Sequence, residues 1–270
     1  MRLAWMTDVH LNFLEPARRH EFLESVQAQA DAFVISGDIA ESPSIYGILG
    51  EINHVLCKPV YFVLGNHDFY RGSIGTIRGE VTDVAERLEW LTYLTAAGVI
   101  ELTPQTALVG HDGWADARLG DFDTSDVILN DYVTIRELFR WRSEFDLDKP
   151  ALRKVLNELG DEAARHFERV LQQAVAKYPR IIAVTHVPPF KEAAWHEGRQ
   201  SDDNYLPHFT CKAVGDAMRK VMTANPQSRL LVLCGHTHGA GEVRILDNLL
   251  VMTGGARYGD PAIQHILTIE

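Results

Sequence analysis

Residues 60–71 read "VYFVLGNHDFYR", and the change of character within this stretch indicates how the chain is organised. Five apolar residues, 60–64, are followed directly by Gly, Asn, His and Asp. A buried strand that ends in a turn accounts for the start of the stretch, because Gly-Asn is ordinary turn chemistry. A turn alone does not explain why an imidazole and a carboxylate follow it side by side.

Two earlier apolar runs end in the same way. Residues 2–6 precede "TDVH", and residues 31–35 precede "SGDIAES". Helical spacing separates the runs: one helix is predicted after Pro16, with apolar positions at Phe22, Leu23, Val26 and Ala30, and a second over residues 45–56. Alternating strands and helices predict a parallel sheet with right-handed crossovers. Its strands would bring three polar clusters to the carboxyl edge, where ligands bind in open α/β sheets.

The rest of the chain predicts a further helix, then a loop, a long helix and more strands. The first helix is expected over residues 81–94, apolar segments at 99–102 and 106–109, and a loop over 110–126. A wide apolar helical face follows at Ala163, Phe167, Val170, Leu171, Ala174, Val175 and Tyr178. Strands at 180–185 and 229–233 end in "HVPPF" and "CGHTHG". Runs at 242–246, 249–252 and 263–269 predict a closing antiparallel meander. With no repeat or linker, we expect one domain over residues 1–270.

Composition limits the class of partner. The 270 residues are 46% hydrophobic, and 37 acidic against 26 basic residues give a formal net charge of −11. This charge argues against a partner held mainly by its phosphate backbone. A small phosphorylated substrate could still be attracted if bound cations made the site locally positive.

The sequence predicts a cytoplasmic protein without membrane segments. No apolar run approaches the roughly 20 residues that span a bilayer, and the short run at residues 3–6 is interrupted by Asp8. The three cysteines, Cys57, Cys211 and Cys234, are widely spaced and odd in number. We therefore expect buried free thiols rather than disulfides or a thiolate metal site.

The polar residues at the predicted strand ends form a set with metal-binding character. Pairs two residues apart, such as His236 and His238, would share one face of an extended strand. Carboxylate, amide and imidazole groups without thiolate suit Mn, Fe, Zn or a similar divalent ion. Nine residues are too many for one ion and fit two ions about 3.5 to 4 Å apart that share a carboxylate. The set comprises Asp8, His10, Asp38, Asn66, His67, Asp68, His186, His236 and His238.

The order of these motifs resembles the calcineurin-like metallophosphoesterases. That family has D-x-H, GD, GNH[D/E], a lone His and GHxH, in this order. Here they stand as "DVH" at 8–10, "GD" at 37–38, "GNHD" at 65–68, "TH" at 185–186 and "GHTH" at 235–238. The resemblance spans nearly the whole chain and implies an α/β fold, a four-layer α/β/β/α sandwich.

The resemblance also implies a role for each position. The first metal ion would be held by Asp8, His10 and His238, the second by Asn66, His186 and His236, and Asp38 would bridge both. His67 would bind no metal but would stabilise charge or protonate the leaving oxygen while a bridging hydroxide attacks in line. Asp68 could hold the His67 ring in position.

Within the family, the sequence favours one branch over another. Purple acid phosphatases carry a tyrosine three residues after the GD aspartate, and here Glu41 stands there. An iron-tyrosinate site is therefore not expected. The stretches "TDVHL", "GNHDFY" and "HVPPF" look most like bacterial phosphodiesterases that act on a small molecule or a cyclic nucleotide. The expected activity is metal-dependent hydrolysis of a phosphodiester or phosphomonoester.

Two other functions remain as alternatives, a metal-dependent nuclease and a catalytically silent binding scaffold of the same fold. The complete ligand set and the presence of His67 argue against the scaffold.

A group of residues in the predicted loop before residue 213 could contact substrate, because long loops are often lids: Trp195, His196, Tyr205, His208 and Phe209. Four other histidines match no motif and are assigned to the surface or core: His20, His54, His166 and His265. His111 and Asp112 match no motif either and are not assigned to the site.

Overall fold

A computed structural model describes residues 1–143 and 146–270. The strands are β1 (Arg2–Met6), β2 (Ala32–Ser36), β3 (Val60–Val63), β4 (Leu91–Tyr93), β5 (Ile100–Thr103), β6 (Thr106–Gly110), β7 (Trp141–Ser143), β8 (Asp146–Leu147), β9 (Arg180–Val184), β10 (Trp195–His196), β11 (Arg199–Gln200), β12 (Arg229–Cys234), β13 (Gly241–Leu246), β14 (Leu249–Thr253) and β15 (His265–Thr268). The α-helices are α1 (Pro16–Gln27), α2 (Ile45–Leu56), α3 (Ile74–Arg87), α4 (Asp131–Thr134), α5 (Lys149–Val175), α6 (Leu206–Phe209) and α7 (Lys212–Ala224).

Two larger sheets form the centre of the fold. The first has the strand order β15-β1-β2-β3-β4, and its strands β1 to β4 are parallel, as the alternation of strands and helices predicts. The second has the order β13-β14-β12-β9-β6-β5, with parallel pairing from β6 through β9 and β12 to β14. Both sheets therefore present the carboxyl ends of several parallel strands.

Side chains alternate along the strands between two cores. In β1, Leu3 and Trp5 point into an apolar layer shared with Leu108, Ile182 and other residues of the second sheet. The intervening residues of β1 pack instead with the helices that cover the first sheet. Helices α5 and α7 pack on the outer face of the second sheet. The layers are helix, sheet, sheet and helix, which confirms the predicted four-layer sandwich.

The helix predicted over residues 81–94 is misplaced. Helix α3 begins at residue 74 and ends at residue 87, and residues 91–93 form strand β4 beside β3. Leu91 and Tyr93 are buried on either side of a half-buried Thr92. Apolar residues at positions 88 and 91 fit a helical spacing, but pairing with β3 decides the outcome in favour of a strand.

The closing antiparallel meander is also wrong in part. Strands β13 and β14 form an antiparallel hairpin, but β14 continues the second sheet by parallel pairing with β12. Strand β15 crosses to the first sheet and pairs antiparallel with β1. The last strand thus covers the edge of β1 and ties the two sheets together.

Other predictions of local structure hold with small changes. Pro16 is the first residue of α1, and residues 111–126 lack helix and strand. The apolar face of α5 is buried, although Tyr178 lies just beyond the end of the helix. Cys211 and Cys234 are buried free thiols, whereas Cys57 is exposed, contrary to expectation, because it caps the end of α2. Within residues 1–143 and 146–270, no helix has the length and apolar character needed to cross a membrane.

Candidate metal centre and active site

Backbone hydrogen bonds bring the motif turns together at the carboxyl ends of the strands. The amide of Asp8 donates to the carbonyl of Gly37 at 3.0 Å, and the amide of His10 donates to the carbonyl of Asp38 at 2.9 Å. In the second sheet, the amide of Gly235 donates to the carbonyl of His186 at 2.8 Å. The turns after β1, β2, β9 and β12 therefore continue the parallel pairing beyond the strands.

The side chains predicted to hold the first metal ion converge. One potential ligand atom from each of Asp8, His10, Asp38 and His238 lies within 4.8 Å of every other. The Nε2 atoms of His10 and His238 are 3.4 Å apart, and Asp8 Oδ1 is 3.4 Å from His238 Nε2. Two carboxylates and two imidazoles facing one point are a donor set suited to a divalent transition ion.

The side chains predicted to hold the second ion also converge. Asn66 Oδ1 is 3.0 Å from His186 Nε2 and 3.0 Å from His236 Nδ1. The other nitrogen of each ring faces a backbone carbonyl, of Ser36 for His186 and of His208 for His236. Such contacts to a carbonyl fix the tautomer and leave the inward nitrogen free to bind a metal.

Asp38 lies between the two sets. Its Oδ1 is 3.4 Å from His186 Nε2, and its Oδ2 is 3.7 Å from His10 Nε2. Burial, together with the nearby carboxylates of Asp8 and Asp68, raises the pKa of Asp38 well above its usual value. A crowded group of buried carboxylates is stabilised by cations, so the residues present fit a dinuclear centre.

The immediate surroundings of His10 and His236 favour neutral rings, which can bind metal. Burial, followed by the nearby His67, lowers the pKa of His10 to about 3. Burial and the neighbouring His186 lower the pKa of His236 to about 3. Neutral imidazoles present a lone pair to a cation, whereas imidazolium groups do not.

His67 lies beside both sets. Its backbone amide donates to Asp38 Oδ1 at 2.9 Å, and its Nε2 is 4.0 Å from Asp38 Oδ2. The ring stacks on Tyr70, with centroids 4.3 Å apart. The ring therefore reaches the cavity next to the predicted ligands.

Asp68 does not hold the His67 ring, contrary to the expectation for this residue. Its carboxylate accepts hydrogen bonds from the backbone amides of Ile39, Ala40 and Gly65 at 3.2, 2.7 and 2.8 Å. His67 Nδ1 is buried and has no hydrogen-bond partner among the described residues. Asp68 instead fixes the two turns that carry Asp38 and Asn66 to one another.

The convergence does not arise from a shared strand face, as the two-residue spacing suggested. Asp8, His10, His236 and His238 all lie past the strand ends with positive φ angles. His236 turns toward Asn66, whereas His238 turns toward Asp8. Both residues of each pair reach the site because the positive φ angles of the turns change the direction of their side chains.

A cavity of about 290 Å³ opens over the predicted ligands. Tyr258, Ile128, His196 and Phe209 form part of its wall, and among the described residues its lining includes neither Lys nor Arg. A second depression, of about 430 Å³, lies on the other side of His238 and includes Arg257 beside Asp260. The first cavity therefore offers aromatic and apolar surface beside the metal ligands.

The residues of the 187–210 loop contribute unequally. His196 and Phe209 line the cavity, and Tyr205 packs on both rings. His208 contributes its carbonyl to His236, while Trp195 packs against the backbone of residues 239–241.

His111 and Asp112 remain outside the site. Asp112 accepts hydrogen bonds from Leu64, Arg78, Tyr93 and Thr95. This strand-end carboxylate is a structural link between elements.

Two polar residues next to the ligands carry no signal in the sequence motifs. Asp131 Oδ1 accepts from Asn66 Nδ2 at 2.8 Å and from the Tyr70 hydroxyl at 2.9 Å. Asp131 is 65 residues from Asn66 and lies in a segment without a recognisable pattern. Only the "FY" that follows the GNHD motif could have drawn attention to Tyr70.

The chain belongs to the calcineurin-like phosphoesterase family, whose model matches residues 1–240. It is therefore a metal-dependent hydrolase of phosphoric esters, and the family implies a dinuclear divalent metal centre. No curated protein matches the sequence.

Several solved structures share the fold. The phosphopantetheinyl hydrolase of Mycobacterium tuberculosis has a TM-score of 0.65 at 13% identity, covering 94% of this chain and 89% of that one. A dimetal phosphatase from Danio rerio has a TM-score of 0.59 at 15% identity, covering 94% and 87%. The protein TT1561 of Thermus thermophilus has a TM-score of 0.53 at 13% identity, covering 94% and 88%. At these identities the likeness concerns the fold.

Proposed function

We propose that the protein hydrolyses a phosphodiester or phosphomonoester bond of a small molecule at a dinuclear centre. The observation that carries this proposal is the position of Asp38, which directs one oxygen toward His186 and the other toward His10. When bound, two divalent ions would neutralise phosphoryl charge and activate water for an in-line displacement. We assign the first ion to Asp8, His10 and His238, the second to Asn66, His186 and His236, and the bridge to Asp38.

The chain's own residues then orient the substrate and move the proton. His67 lies at the cavity next to Asp38 without belonging to either ligand cluster. We assign it the stabilisation of developing phosphoryl charge and protonation of the leaving oxygen. Stacking on Tyr70 holds the ring in place, a task that was expected of Asp68.

The cavity supports a small substrate over a nucleic acid. Binding a nucleic-acid backbone requires a track of Lys and Arg. The described lining over the predicted ligands has neither, and the described lining of the neighbouring depression has one Arg, Arg257, together with Asp8 and Asp260. A volume of about 290 Å³ suits a small molecule, and Tyr258, Phe209 and His196 offer flat surfaces to an aromatic or nucleobase group.

The test is a substrate panel with chelated and metal-reconstituted protein. We expect no hydrolysis after exhaustive chelation and recovery with Mn or another transition ion. Small aryl diesters, phosphomonoesters and cyclic nucleotides should be hydrolysed better than oligonucleotides. Full activity in protein shown by elemental analysis to be free of metal would refute the proposal. An oligonucleotide preference that declines steeply with salt would favour a nuclease.

The role of His67 is tested with His67→Asn on two matched esters. Metal content should stay near that of the wild type, while turnover should decrease by roughly 10² to 10⁴ on an alkyl or nucleoside ester. The loss should be smaller on a nitrophenyl ester, whose leaving group needs little protonation. An equal decrease in kcat/KM on both esters would exclude a proton-donor role, and loss of metal would show that His67 is misassigned.

A further inference from the structure

We infer that Asp131 is a positioning residue for the second metal ion, because it determines which end of the Asn66 amide faces the site. The inference rests on the proposed dinuclear centre. Asp131 is 3% exposed and lies in the short helix α4, outside the ligand motifs. Its Oδ1 accepts from Asn66 Nδ2 at 2.8 Å, on the side of the amide opposite to the predicted metal position.

The direction of the amide decides whether Asn66 can bind a cation at all. An asparagine side chain has an oxygen that can bind a metal and an NH₂ group that cannot, on a nearly symmetrical frame. With Nδ2 held by Asp131 and 3.2 Å from the Tyr70 hydroxyl, Oδ1 lies 3.0 Å from both His186 Nε2 and His236 Nδ1. Without the Asp131 carboxylate, which accepts from both Nδ2 and the Tyr70 hydroxyl, the amide could rotate and present its NH₂ group to the cation.

The segment around Asp131 supports the second ligand set by another route as well. The hydroxyl of Tyr132 is 2.6 Å from His208 Nδ1, and Ser125 Oγ is 2.9 Å from the other nitrogen of that ring. The carbonyl of His208 faces His236 Nε2 at 3.0 Å. The segment 125–132 therefore supports two predicted ligands of the second ion, Asn66 directly and His236 through His208.

The first ligand set is held by different contacts. The Asp8 carboxylate accepts from Thr7 Oγ1 at 2.6 Å and from the backbone amide of His236 at 3.1 Å. Removal of the Asp131 carboxylate leaves these contacts in place. Loss of the Asp131 carboxylate should therefore weaken the second metal site selectively. A general loss of stability would weaken both sites.

Asp131 also fixes Tyr70, whose hydroxyl donates to the same oxygen at 2.9 Å. The Tyr70 ring stacks on His67. The carboxylate thus restrains a predicted ligand and, through Tyr70, the ring of the predicted proton donor.

The experiment measures Mn binding to the full-length apo protein by calorimetry, with elemental analysis of the bound metal. The wild type should bind two ions, and Asn66→Ala should identify the second site. Asp131→Ala should weaken that same site by roughly 10- to 100-fold, the range typical of residues that orient metal ligands, and leave the first site unchanged. Asp131→Asn keeps an acceptor oxygen of the same reach and should restore most of the affinity.

Two further variants separate positioning from folding. Asp123→Ala removes an exposed carboxylate just before this segment, which pairs with Arg153, and should leave both affinities unchanged. Asp131→Ser retains a small polar side chain that is too short to reach Asn66, and should reproduce the selective loss if Asp131→Ala does not fold.

Two results would overturn the assignment of Asp131: wild-type affinity at both sites in Asp131→Ala and Asp131→Ser, or equal weakening of both sites. A wild-type protein that binds fewer than two ions would refute the dinuclear centre and this inference together. That result is seen in the wild-type titration, before any variant is compared. The two failures are therefore distinguishable.

Discussion

Several predicted metal ligands have a backbone conformation that residues other than glycine rarely adopt. Their φ angles lie between 40° and 71°, in the left-handed region. Each such residue costs of order 1 to 3 kcal/mol and persists only where surrounding contacts enforce it. The strain accompanies the change of direction that sends each side chain into the site. The residues are Asp8, His10, Asp38, His236 and His238.

The glycines of the motifs leave room for these side chains. A Cβ added to Gly65 would lie 2.7 Å from His186 Cε1 and closer still to Asp38 Oδ1. At Gly235 it would overlap the side chains of Asp8 and Thr7. The glycine of each motif is therefore required by the ligands of the other turns.

Gly65→Ala should damage the metal site. The added methyl group must displace Asp38 or His186, so we expect lower metal affinity at both positions and a loss of activity. Gly79→Ala is the matched control, because a Cβ at this helical position meets nothing within 4 Å. The control should stabilise the protein by roughly 0.5 to 1 kcal/mol. Metal titration and chemical denaturation of both variants check this, and unchanged metal affinity in Gly65→Ala would contradict it.

At the scale of elements, one buried carboxylate joins the two sheets. Asp112 follows β6 of the second sheet and accepts from the backbone amide of Leu64, just after β3 of the first. Its second oxygen accepts from Tyr93 in β4 and from Arg78 in α3. The carboxyl end of β3, where the GNHD turn begins, is thereby anchored to the opposite sheet.

Asp112→Ala should be strongly destabilising. The change leaves the partly buried Arg78 guanidinium without its inner partner and frees several donors, at a cost of roughly 3 to 5 kcal/mol. Asp216→Ala removes an exposed carboxylate that pairs with Lys212, and should change the denaturation midpoint little. Urea unfolding of both variants measures the difference. Similar midpoints for the two variants would show that Asp112 is not the link described.

For the whole molecule, the site lies across the junction of the two sheets. Asp8, Asp38 and Asn66 come from the turns of the first sheet, and His186, His236 and His238 from those of the second. An ion bound by both groups stabilises the native packing of the sheets, because the unfolded chain has no such site.

Divalent ions should therefore raise the unfolding temperature. At a free ion concentration 100 times the Kd, each bound ion adds about 2.7 kcal/mol of stability, or roughly 5 to 10 °C in a domain of this size. Asp38→Ala should lose most of this increase, since it removes the bridge. Calorimetric scans of chelated and Mn-loaded protein test the prediction. An unchanged unfolding temperature in protein shown to hold two ions would contradict it.

The features that could be predicted from the sequence are local ones. The spacing of residue types along the chain predicts four such features: the strand in each apolar run, the helix after Pro16, the apolar face of α5 and the polar residues at the strand ends. Each depends only on residues close together in the sequence. The ordered motifs added the family, the four-layer fold and the ligand candidates, because their turns follow one another in a recognisable series. The assignment of individual residues to each metal ion stays a prediction.

Contacts between distant segments depended instead on how the chain packs. Residues 91–93 became a strand because β3 offered an edge, and β15 crossed to β1 for the same reason. The Asp68 carboxylate accepts hydrogen bonds from backbone amides of two turns. Asp131 accepts a hydrogen bond from the Asn66 amide although the two residues are 65 positions apart in the chain. Periodicity reports only which face of a segment is buried, whereas hydrogen-bond partners are chosen by whichever donors the packed chain places within reach.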